Sequence, residues 1–206
     1  MSERPGILLA GGLSRRMGEN KALLPFGDGR LIDHVARRLS RECDEIALNV
    51  NTALDGLDDL PRVADDIPGF AGPLAGIAAG LAHFRGRGGP ATHLLSVAAD
   101  TPFFPSGLRA ALEAAATGRD EIVVSADPEG NWHPVFALWP LALEEDLRGW
   151  LADPENRRLK AFILRHRHRT VTFPLIRTPE AVIDPFFNVN TPADYRQAIA
   201  LRDRIT

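Results

Sequence analysis

Cysteine is almost absent from this chain of 206 residues, in which Cys43 is the only one. A single thiol excludes an internal disulfide and a cysteine-based zinc site, and it favours a reduced, cytoplasmic compartment. No apolar run approaches the roughly 20 residues that a bilayer span requires. The N-terminal stretch also lacks the layout of a signal peptide, because its apolar run breaks at Gly11-Gly12. We therefore expect neither a membrane segment nor a targeting leader.

Neither sign of charge is in large excess, since 24 Lys and Arg residues face 27 Asp and Glu residues and the net charge is -3. This balance provides no overall attraction to nucleic acid or to an anionic membrane, so we expect neither as a partner and any anion site must be local. Hydrophobic residues make up 45% of the chain, which is typical of a folded globular protein. Because no internal repeat or low-complexity tract is visible, the length favours a single domain over residues 1–206.

Short apolar runs alternate with helical periodicities along the chain. Residues 6–10 form an apolar run that ends in a double glycine, which is typical of a buried parallel strand. Leu31, Val35 and Leu39 recur every four residues, which indicates an amphipathic helix. The predicted strands are 6–10, 45–50, 62–64, 93–99, 121–125, 135–138 and 170–173. The predicted helices are 31–39, 74–83, 105–116, 141–151, 159–165 and a last one that begins at Pro192 after the N-cap Thr191.

This alternation predicts an α/β fold. Strands that are separated by helices form a parallel sheet with helices on both faces. We therefore predict a single-domain, Rossmann-like, three-layer α/β/α architecture with a mostly parallel sheet. Ligands bind at the carboxyl ends of the strands in such sheets, so polar residues that follow predicted strands are the candidates for a functional site.

The first candidate is the loop LAGGLSRRMGENK at positions 9–21, directly after the first predicted strand. Its glycines let the backbone approach an anion, and Arg15, Arg16 and Lys21 add three positive charges. The spacing matches neither the P-loop nor the dinucleotide-binding glycine pattern. A solvated glycine turn with surface arginines would have the same composition, but its position after a buried strand favours a site for a triphosphate.

Asp100 follows the predicted strand 93–99 and so shares a sheet edge with the glycine loop. A carboxylate beside triphosphate oxygens would be repelled unless a divalent cation lay between them. Mg²⁺ typically takes one or two carboxylates together with phosphate oxygens and waters. The sequence therefore predicts Asp100 as an Mg²⁺ ligand, and the alternative is a carboxylate that caps the turn before Pro102.

Polar side chains also follow the second and third predicted strands. Asn49 lies at the end of strand 45–50, where its amide is a candidate for contact with a base edge or a ribose, and Asn51 is the alternative. Asp65 and Asp66 follow strand 62–64, and they would otherwise be a solvated turn.

Two further groups lie in the carboxyl half. Asn188 and Asn190 alternate around one apolar residue, which places both side chains on one face, although asparagines before an N-cap also suit a turn. Arg157 and Arg158 begin a basic stretch that continues as RHRHR at 165–169. Such a stretch is either a solvated face or a binding surface for an anionic acceptor or a partner protein, and Arg157 and Arg158 are the candidate contacts.

These motifs together resemble one known family. The loop LAGGxSxRMGxxK is typical of the nucleotidyltransferases that activate small phosphorylated molecules with a nucleoside triphosphate. The later stretches GPLAG (72–76), DTP (100–102), HP (133–134) and FNVNTP (187–192) follow in the order found in the molybdenum cofactor guanylyltransferase family. The resemblance spans nearly the whole chain. It implies Mg²⁺-dependent transfer of GMP from GTP to the terminal phosphate of molybdopterin, free or already carrying molybdenum, with release of pyrophosphate.

The resemblance also implies roles for single residues. Arg16, Lys21 and Asp100 would be catalytic, with Asp100 on the metal. Asn188 and Asn190 would lie near the metal and the acceptor, to which the basic stretch adds Arg157 and Arg158 as candidate contacts. The nucleotide-binding residues would be Leu9, Ala10, Gly11, Gly12, Lys21, Asn49, Asp100 and one of the two aspartates at 65 and 66, of which we prefer Asp66. The acceptor phosphate is already an anionic nucleophile, so the enzyme would need positioning and charge neutralisation rather than a catalytic base.

Base preference and partners stay open at this point. The related cytidylyltransferases usually have LAAG in the loop, whereas Gly11 stands in LAGG here and leaves room for a purine, which favours GTP. The alternatives are a CTP-dependent molybdopterin cytidylyltransferase, another small-molecule phosphate nucleotidyltransferase, and a catalytically silent nucleotide-binding regulatory subunit. We also expect transient contacts with proteins that deliver and receive the cofactor.

Overall fold

A computed structural model describes residues 4–11, 21–51, 59–67 and 72–204. The strands are β1 (Pro5–Leu9), β2 (Pro25–Phe26), β3 (Gly29–Arg30), β4 (Glu45–Asn49), β5 (Arg62–Val63), β6 (His93–Ala98), β7 (Ile122–Ala126), β8 (Trp132–Pro140), β9 (His168–Thr172), β10 (Ile176–Arg177) and β11 (Val182–Ile183). The α-helices are α1 (Leu31–Leu39), α2 (Pro73–Gly86), α3 (Leu108–Ala115), α4 (Glu144–Leu151), α5 (Leu159–Ile163) and α6 (Pro192–Arg202). None of these helices in the described ranges is long and apolar enough to cross a bilayer.

Seven strands form the central sheet in the order β5-β4-β1-β6-β8-β7-β9. Neighbouring strands from β5 to β6 are parallel, as are β7 and β9, and β8 alone in this sheet runs antiparallel to its neighbours. The mostly parallel sheet is therefore confirmed. The chain passes from β1 to β4 on one side and returns to β6 on the other, so the carboxyl ends of β1 and β6 flank a switch point where such sheets bind ligands.

Helices cover both faces of the sheet, as the three-layer prediction requires. Leu8 and Ile7 are adjacent on β1 and fully buried, and they enter different cores. Leu8 packs in the core that contains α1 and α3, whereas Ile7 packs with α2, α4 and α5. Burying each such side chain contributes roughly 1.5–3 kcal/mol. The apolar runs of the central strands thus reflect burial from both sides.

The largest difference from the predicted elements is β8, which was expected at 135–138 and begins at Trp132. Pro134 lies where the register with β7 shifts between Val124 and Ser125. A proline, which has no N–H to donate, is tolerated in a strand at such an irregularity. Helix α3 begins at Leu108 rather than 105. The two-residue strands β2, β3, β10 and β11 were not predicted because they are too short to produce a pattern.

Helix α6 begins where it was predicted, and its N-terminus is fixed by reciprocal capping. The Asp194 N–H donates to Thr191 Oγ1 at 3.1 Å, and the Thr191 N–H donates to the Asp194 carboxylate at 2.8 Å. Backbone N–H donation, first from Asn190, lowers the pKa of Asp194. The helix packs through Ala198 into a third core with Phe26. Capping therefore sets the position of the segment that precedes α6.

A buried arginine ties strands together at the opposite, amino edge of the sheet. Arg109 is 2% exposed, and its guanidinium donates to the carbonyl oxygens of Pro5 at 2.9 Å and His93 at 3.3 Å and to the Glu113 carboxylate at 2.7 Å. Cys43 lies beside it with Sγ at 3.6 Å from Arg109 Nη1. Burial raises the pKa of the Cys43 thiol to about 11, so the thiol stays protonated at neutral pH.

We predict that Arg109→Met lowers the free energy of unfolding by about 3 kcal/mol, because two buried carbonyl groups lose their donor. Chemical denaturation measures the change. Arg167→Met is the control, since its ion pair with Asp120 is largely exposed and its loss should cost under about 1 kcal/mol. Equal stability of the two variants would show that Arg109 does not hold β1 and β6 together.

Candidate functional site

A cleft of about 560 Å³ opens at the carboxyl ends of the parallel strands. Its walls come from the ends of β1, β4 and β6, the residues after β5, the start of α2 and the first half of β8. The lining residues are Leu9, Ala10, Gly11, Lys21, Ala22, Asn49, Asn51, Asp65, Gly72, Pro73, Ala98, Ala99, Asp100, Trp132, His133, Pro134, Val135, Phe136 and Asn188. The cleft thus lies at the switch point of the sheet.

Lys21 and Asp100 meet inside this cleft. Lys21 Nζ donates to Asp100 Oδ2 at 2.6 Å and to Asn190 Oδ1 at 2.8 Å. The side chains of Lys21 and Asp100 are 19% and 22% exposed, so solvent screens the pair only in part. The cation and the carboxylate that the sequence assigned to one sheet edge are therefore in direct contact.

The segment before α6 completes this centre. Val189 is fully buried, and its N–H donates to the Asp100 carbonyl oxygen at 2.9 Å. The alternation places Asn188 and Asn190 on the exposed side of the same segment, as predicted. The fully buried Thr101 donates through Oγ1 to Asn188 Oδ1, and this Oγ1 lies 3.3 Å from Asp100 Oδ1. Thr101 was not singled out from the sequence, although it belongs to the DTP motif.

The oxygens of Asp100, Asn188 and Asn190 have the chemistry of a magnesium site. No group of three His, Cys, Asp or Glu side chains that could hold a metal occurs among the residues the structure describes. A cation here would instead use one carboxylate and amide oxygens. Mg²⁺ suits such a set, because it usually keeps several waters and binds one or two carboxylates together with phosphate oxygens of the substrate.

A second polar cluster lies at the other end of the cleft. Asn49 Nδ2 donates to the Val63 carbonyl oxygen at 3.1 Å and to Asp65 Oδ1 at 2.8 Å. Asn51 Nδ2 donates to Asp65 Oδ2 at 2.8 Å, and Asn51 Oδ1 accepts from the Asp65 N–H at 2.9 Å. These partners fix both amide orientations, since a carbonyl oxygen and a carboxylate only accept. Both N–H groups of the Asn49 amide are thus engaged, and the Asp65 carboxylate is held by both amides.

Asp65, and not the preferred Asp66, lies in the cleft. The Asp66 carboxylate is half exposed and accepts from Arg148 Nη1 on α4 at 2.5 Å. Asp65 is turned the other way because Asn51 holds both its N–H and its carboxylate. Of the two candidate aspartates, Asp65 therefore lines the cleft and the preferred Asp66 does not.

Three residues of β8 that were not candidates form the wall beyond Asp100. Trp132, His133 and Phe136 line the cleft. The His133 ring stacks on Phe186 with centroids 4.1 Å apart and planes at 16°, and its Nε2 lies 3.5 Å from Asp127 Oδ2. The HP motif pointed to His133. The sequence did not predict the first half of β8, however, so it did not show that these three side chains lie on one wall of the cleft.

The predicted acceptor contacts Arg157 and Arg158 do not line the cleft. Arg157 Nη1 donates to the carbonyl oxygens of Leu151 and Asp153 at 3.1 and 2.9 Å, so its charge caps the carboxyl end of α4. Arg158 is exposed at the start of α5. In the following RHRHR stretch, Arg165 and Arg167 form exposed ion pairs with Asp146 and Asp120, and Arg169 pairs with the buried Glu121. The basic stretch therefore has a structural explanation.

The glycine loop is described only at its two ends. Gly12 and Arg16 lie outside the described residues. Leu9, Ala10 and Gly11 line the cleft, and the Ala10 N–H donates to the Asn49 carbonyl oxygen at 3.0 Å. A Cβ at Gly11 would lie 3.3 Å from Asn49 Oδ1. The start of the loop thus lies directly beside the Asn49 cluster.

Comparison with known proteins gives consistent matches. Residues 6–170 match the family described as MobA-like NTP transferase domain. A molybdenum cofactor guanylyltransferase from Rhizobium meliloti (strain 1021) is 48% identical over 201 residues, which cover 95% of this chain and 90% of that protein. One from Mesorhizobium japonicum is 42% identical, with 98% and 97% covered. Among solved structures, molybdopterin-guanine dinucleotide biosynthesis protein A from Archaeoglobus fulgidus has a TM-score of 0.72 at 21% identity and covers 97% of this chain and 98% of its own, which shows a shared fold.

We predict that Gly76→Ala on α2 disturbs the Asn49 cluster, because the new Cβ would lie 2.2 Å from Asn49 Oδ1. Nucleotide affinity should fall about tenfold, the equivalent of one displaced hydrogen bond. Calorimetric nucleotide titration measures it. Gly80→Ala is the matched control one turn later, where the Cβ would meet Leu94 and Ile7 at 2.9 and 3.2 Å instead. Both variants should lose about 1–3 kcal/mol of stability through overpacking, but a similar loss of nucleotide affinity in both would contradict the role of Asn49.

Proposed function

The chain belongs to the MobA-like NTP transferase family, and from this membership we propose that it transfers GMP from GTP to the terminal phosphate of molybdopterin and releases pyrophosphate. The chain is a nucleotidyltransferase, with GTP and molybdopterin as its substrates. The observation that carries the proposal is the meeting of Lys21 and Asp100 in one cleft with Asp65. Nucleotidyl transfer needs three parts: a cation that binds phosphate, a carboxylate that binds the metal, and a site for the base. The site for the base would be the cluster of Asn49, Asn51 and Asp65, which we call the acceptor cluster because its carboxylate accepts hydrogen bonds.

The acceptor cluster supports guanine as the base. Asn49 uses both N–H groups of its amide on Val63 and Asp65, so these donors are engaged, and the Asp65 carboxylate in the cleft can only accept hydrogen bonds from a ligand. Guanine presents two neighbouring donors, N1–H and the 2-amino group, to which a carboxylate can bind in bidentate fashion. Cytosine presents one amino group beside two acceptors, which a carboxylate would repel. Asp65 therefore favours GTP over CTP, in agreement with the room that Gly11 leaves.

Lys21 would donate to the triphosphate oxygens, together with the loop at 9–12 and Arg16. Asp100, with the amide oxygens of Asn188 and Asn190, would hold Mg²⁺, which when bound neutralises negative charge on the phosphate oxygens. The acceptor phosphate is an anionic nucleophile, so these residues contribute by orienting the reacting groups and stabilising charge on the leaving pyrophosphate. No side chain is required to remove a proton.

The acceptor would approach from the β8 side of Asp100. Strand order places Asn49 and Asp65 on one side of β1, and Trp132 and His133 beyond β6 on the other. With the base in the Asn49 cluster, the wall of β8 is left for molybdopterin. The residues of this wall, rather than Arg157 and Arg158, would then contact the acceptor.

Three broader proposals accompany this function. Residues 1–206 form a single domain, because the part of the chain after the family match contacts the cleft: Asn188 accepts from Thr101, Asn190 accepts from Lys21 and the Val189 N–H donates to the Asp100 carbonyl oxygen. The enzyme works in the cytoplasm, where the buried Cys43 thiol stays reduced. It exchanges its cofactor with delivering and receiving proteins through transient contacts.

Asp65→Asn should lower kcat/KM for GTP by about tenfold to a hundredfold, because one accepting oxygen becomes a donor that faces the guanine donors. Steady-state kinetics with GTP and CTP measure the change. Asp66→Asn is the matched control, because it removes the same charge from the adjacent residue. Its kcat/KM for GTP should stay within twofold of that of the unmodified enzyme. A larger effect at Asp66 would return the nucleotide site to that residue, and faster turnover of CTP by the unmodified enzyme would indicate a cytidylyltransferase.

Asp100→Asn should lower GMP transfer by about a hundredfold or more, because the only carboxylate proposed for the metal is lost. Pyrophosphate release from GTP and molybdopterin, followed as Mg²⁺ is varied, tests this. Turnover with an unchanged Mg²⁺ dependence would contradict the metal role of Asp100. Absence of pyrophosphate release by the unmodified enzyme would contradict the function itself.

A further inference from the structure

The Lys21 ammonium contacts two oxygens that also suit a divalent cation. Nζ lies 2.6 Å from Asp100 Oδ2 and 2.8 Å from Asn190 Oδ1. A magnesium ion bound to the same atoms would sit about 2.0–2.1 Å from each oxygen, well inside the contact distance of Nζ. The ammonium and the metal therefore cannot use both oxygens at the same time.

Charge leads to the same conclusion. Lys21 and a divalent cation together bring three positive charges to the single negative charge of Asp100. The nearby Asp194 carboxylate is engaged by the N–H groups of Asn190 and Thr191, so it is directed at the backbone. A triphosphate brings several negative charges and accepts hydrogen bonds from an ammonium. Its phosphate oxygens would thus give Lys21 another partner and leave Asp100 to the metal.

We propose that Asp100 and Asn190 hold either Lys21 Nζ or a divalent cation, and that nucleotide binding completes the metal site by drawing Lys21 onto the phosphates. The proposal rests on the proposed function, since it takes the nucleotide as a triphosphate. Lys21 then has two opposite effects: it strengthens nucleotide binding and weakens binding of metal alone. By linkage, nucleotide and metal each raise the affinity for the other by the same factor.

The test exploits the rarity of lysine, because Lys21 and Lys160 are the only two in the chain. Lys21→Met and Lys160→Met remove the same charge and keep similar length. Lys160 Nζ lies 4.9 Å from the centre of the Trp132 ring. Mn²⁺ alone is titrated into each protein without nucleotide, and electron paramagnetic resonance reports free Mn²⁺. Lys21→Met should bind Mn²⁺ about tenfold more tightly than the unmodified protein, within the usual range of coupling between sites, and Lys160→Met should stay within twofold.

Two outcomes would overturn the proposal. Equal or weaker Mn²⁺ binding by Lys21→Met would show that Lys21 does not compete with the metal. Tight binding that survives the addition of Asp100→Asn to Lys21→Met would place the ion elsewhere. Since no nucleotide and no turnover enter this measurement, its result is independent of whether GMP transfer is observed.

A second measurement follows the unmodified chain and needs the control variant only to assign its signals. Lysine labelled with ¹⁵N at the side chain gives at most two ammonium signals, which Lys160→Met assigns. The hydrogen-bonded signal of Lys21 should disappear or shift as Mg²⁺ alone is raised to saturation. A signal that persists unchanged while Asp100 binds Mg²⁺ would overturn the proposal.

Discussion

The ion pair between Lys21 and Asp100 joins residues 79 positions apart, and the other parts of the cleft are arranged around it. Asp100 follows β6, whose carboxyl end lies beside that of the parallel strand β1, and Lys21 reaches it from the segment before β2. Val189 adds the third chain segment through its hydrogen bond to the Asp100 carbonyl oxygen. A contact of this kind is partly buried, so loss of either partner would leave an uncompensated charge in the cleft.

The cleft divides its polar groups by charge and hydrogen-bonding type. One end carries the Lys21 cation and the oxygens around Asp100, and the other end is an acceptor cluster in which Asn51 and Asn49 hold Asp65. The glycines of α2 let the helix approach the sheet closely, and the Asn49 side chain packs directly against Gly76. Because each amide is fixed by partners that only accept or only donate, the cluster would need little rearrangement to bind a base as proposed, which would reduce the entropic cost of recognition.

The sequence predicted the sheet and the strand ends because continuous burial gives long apolar runs, as in β1 and β6. It also placed Asn188 and Asn190 on one face, since alternation follows directly from an extended backbone. It could not choose between Asp65 and Asp66, which are adjacent in a turn, because the choice depends on a hydrogen bond to Asn51 from a distant part of the chain. The sequence also did not show that Arg157 turns back to the nearby carbonyl oxygens of Leu151 and Asp153, because a run of basic residues does not reveal where each side chain points.

Strand order also explains how one cleft can hold two substrates without a second domain. From β5 to β8 the sheet edge presents the acceptor cluster, the start of the glycine loop at β1, Asp100 after β6, and the wall that contains Trp132. In the proposed binding mode, a nucleotide along this edge would have its base at β4 and β5 and its phosphates between β1 and β6. The acceptor would then approach the α-phosphorus from the β8 side. The antiparallel insertion of β8 beside β6 supplies this side, because it carries its N-terminal half past the end of β6 and so builds a wall for the acceptor.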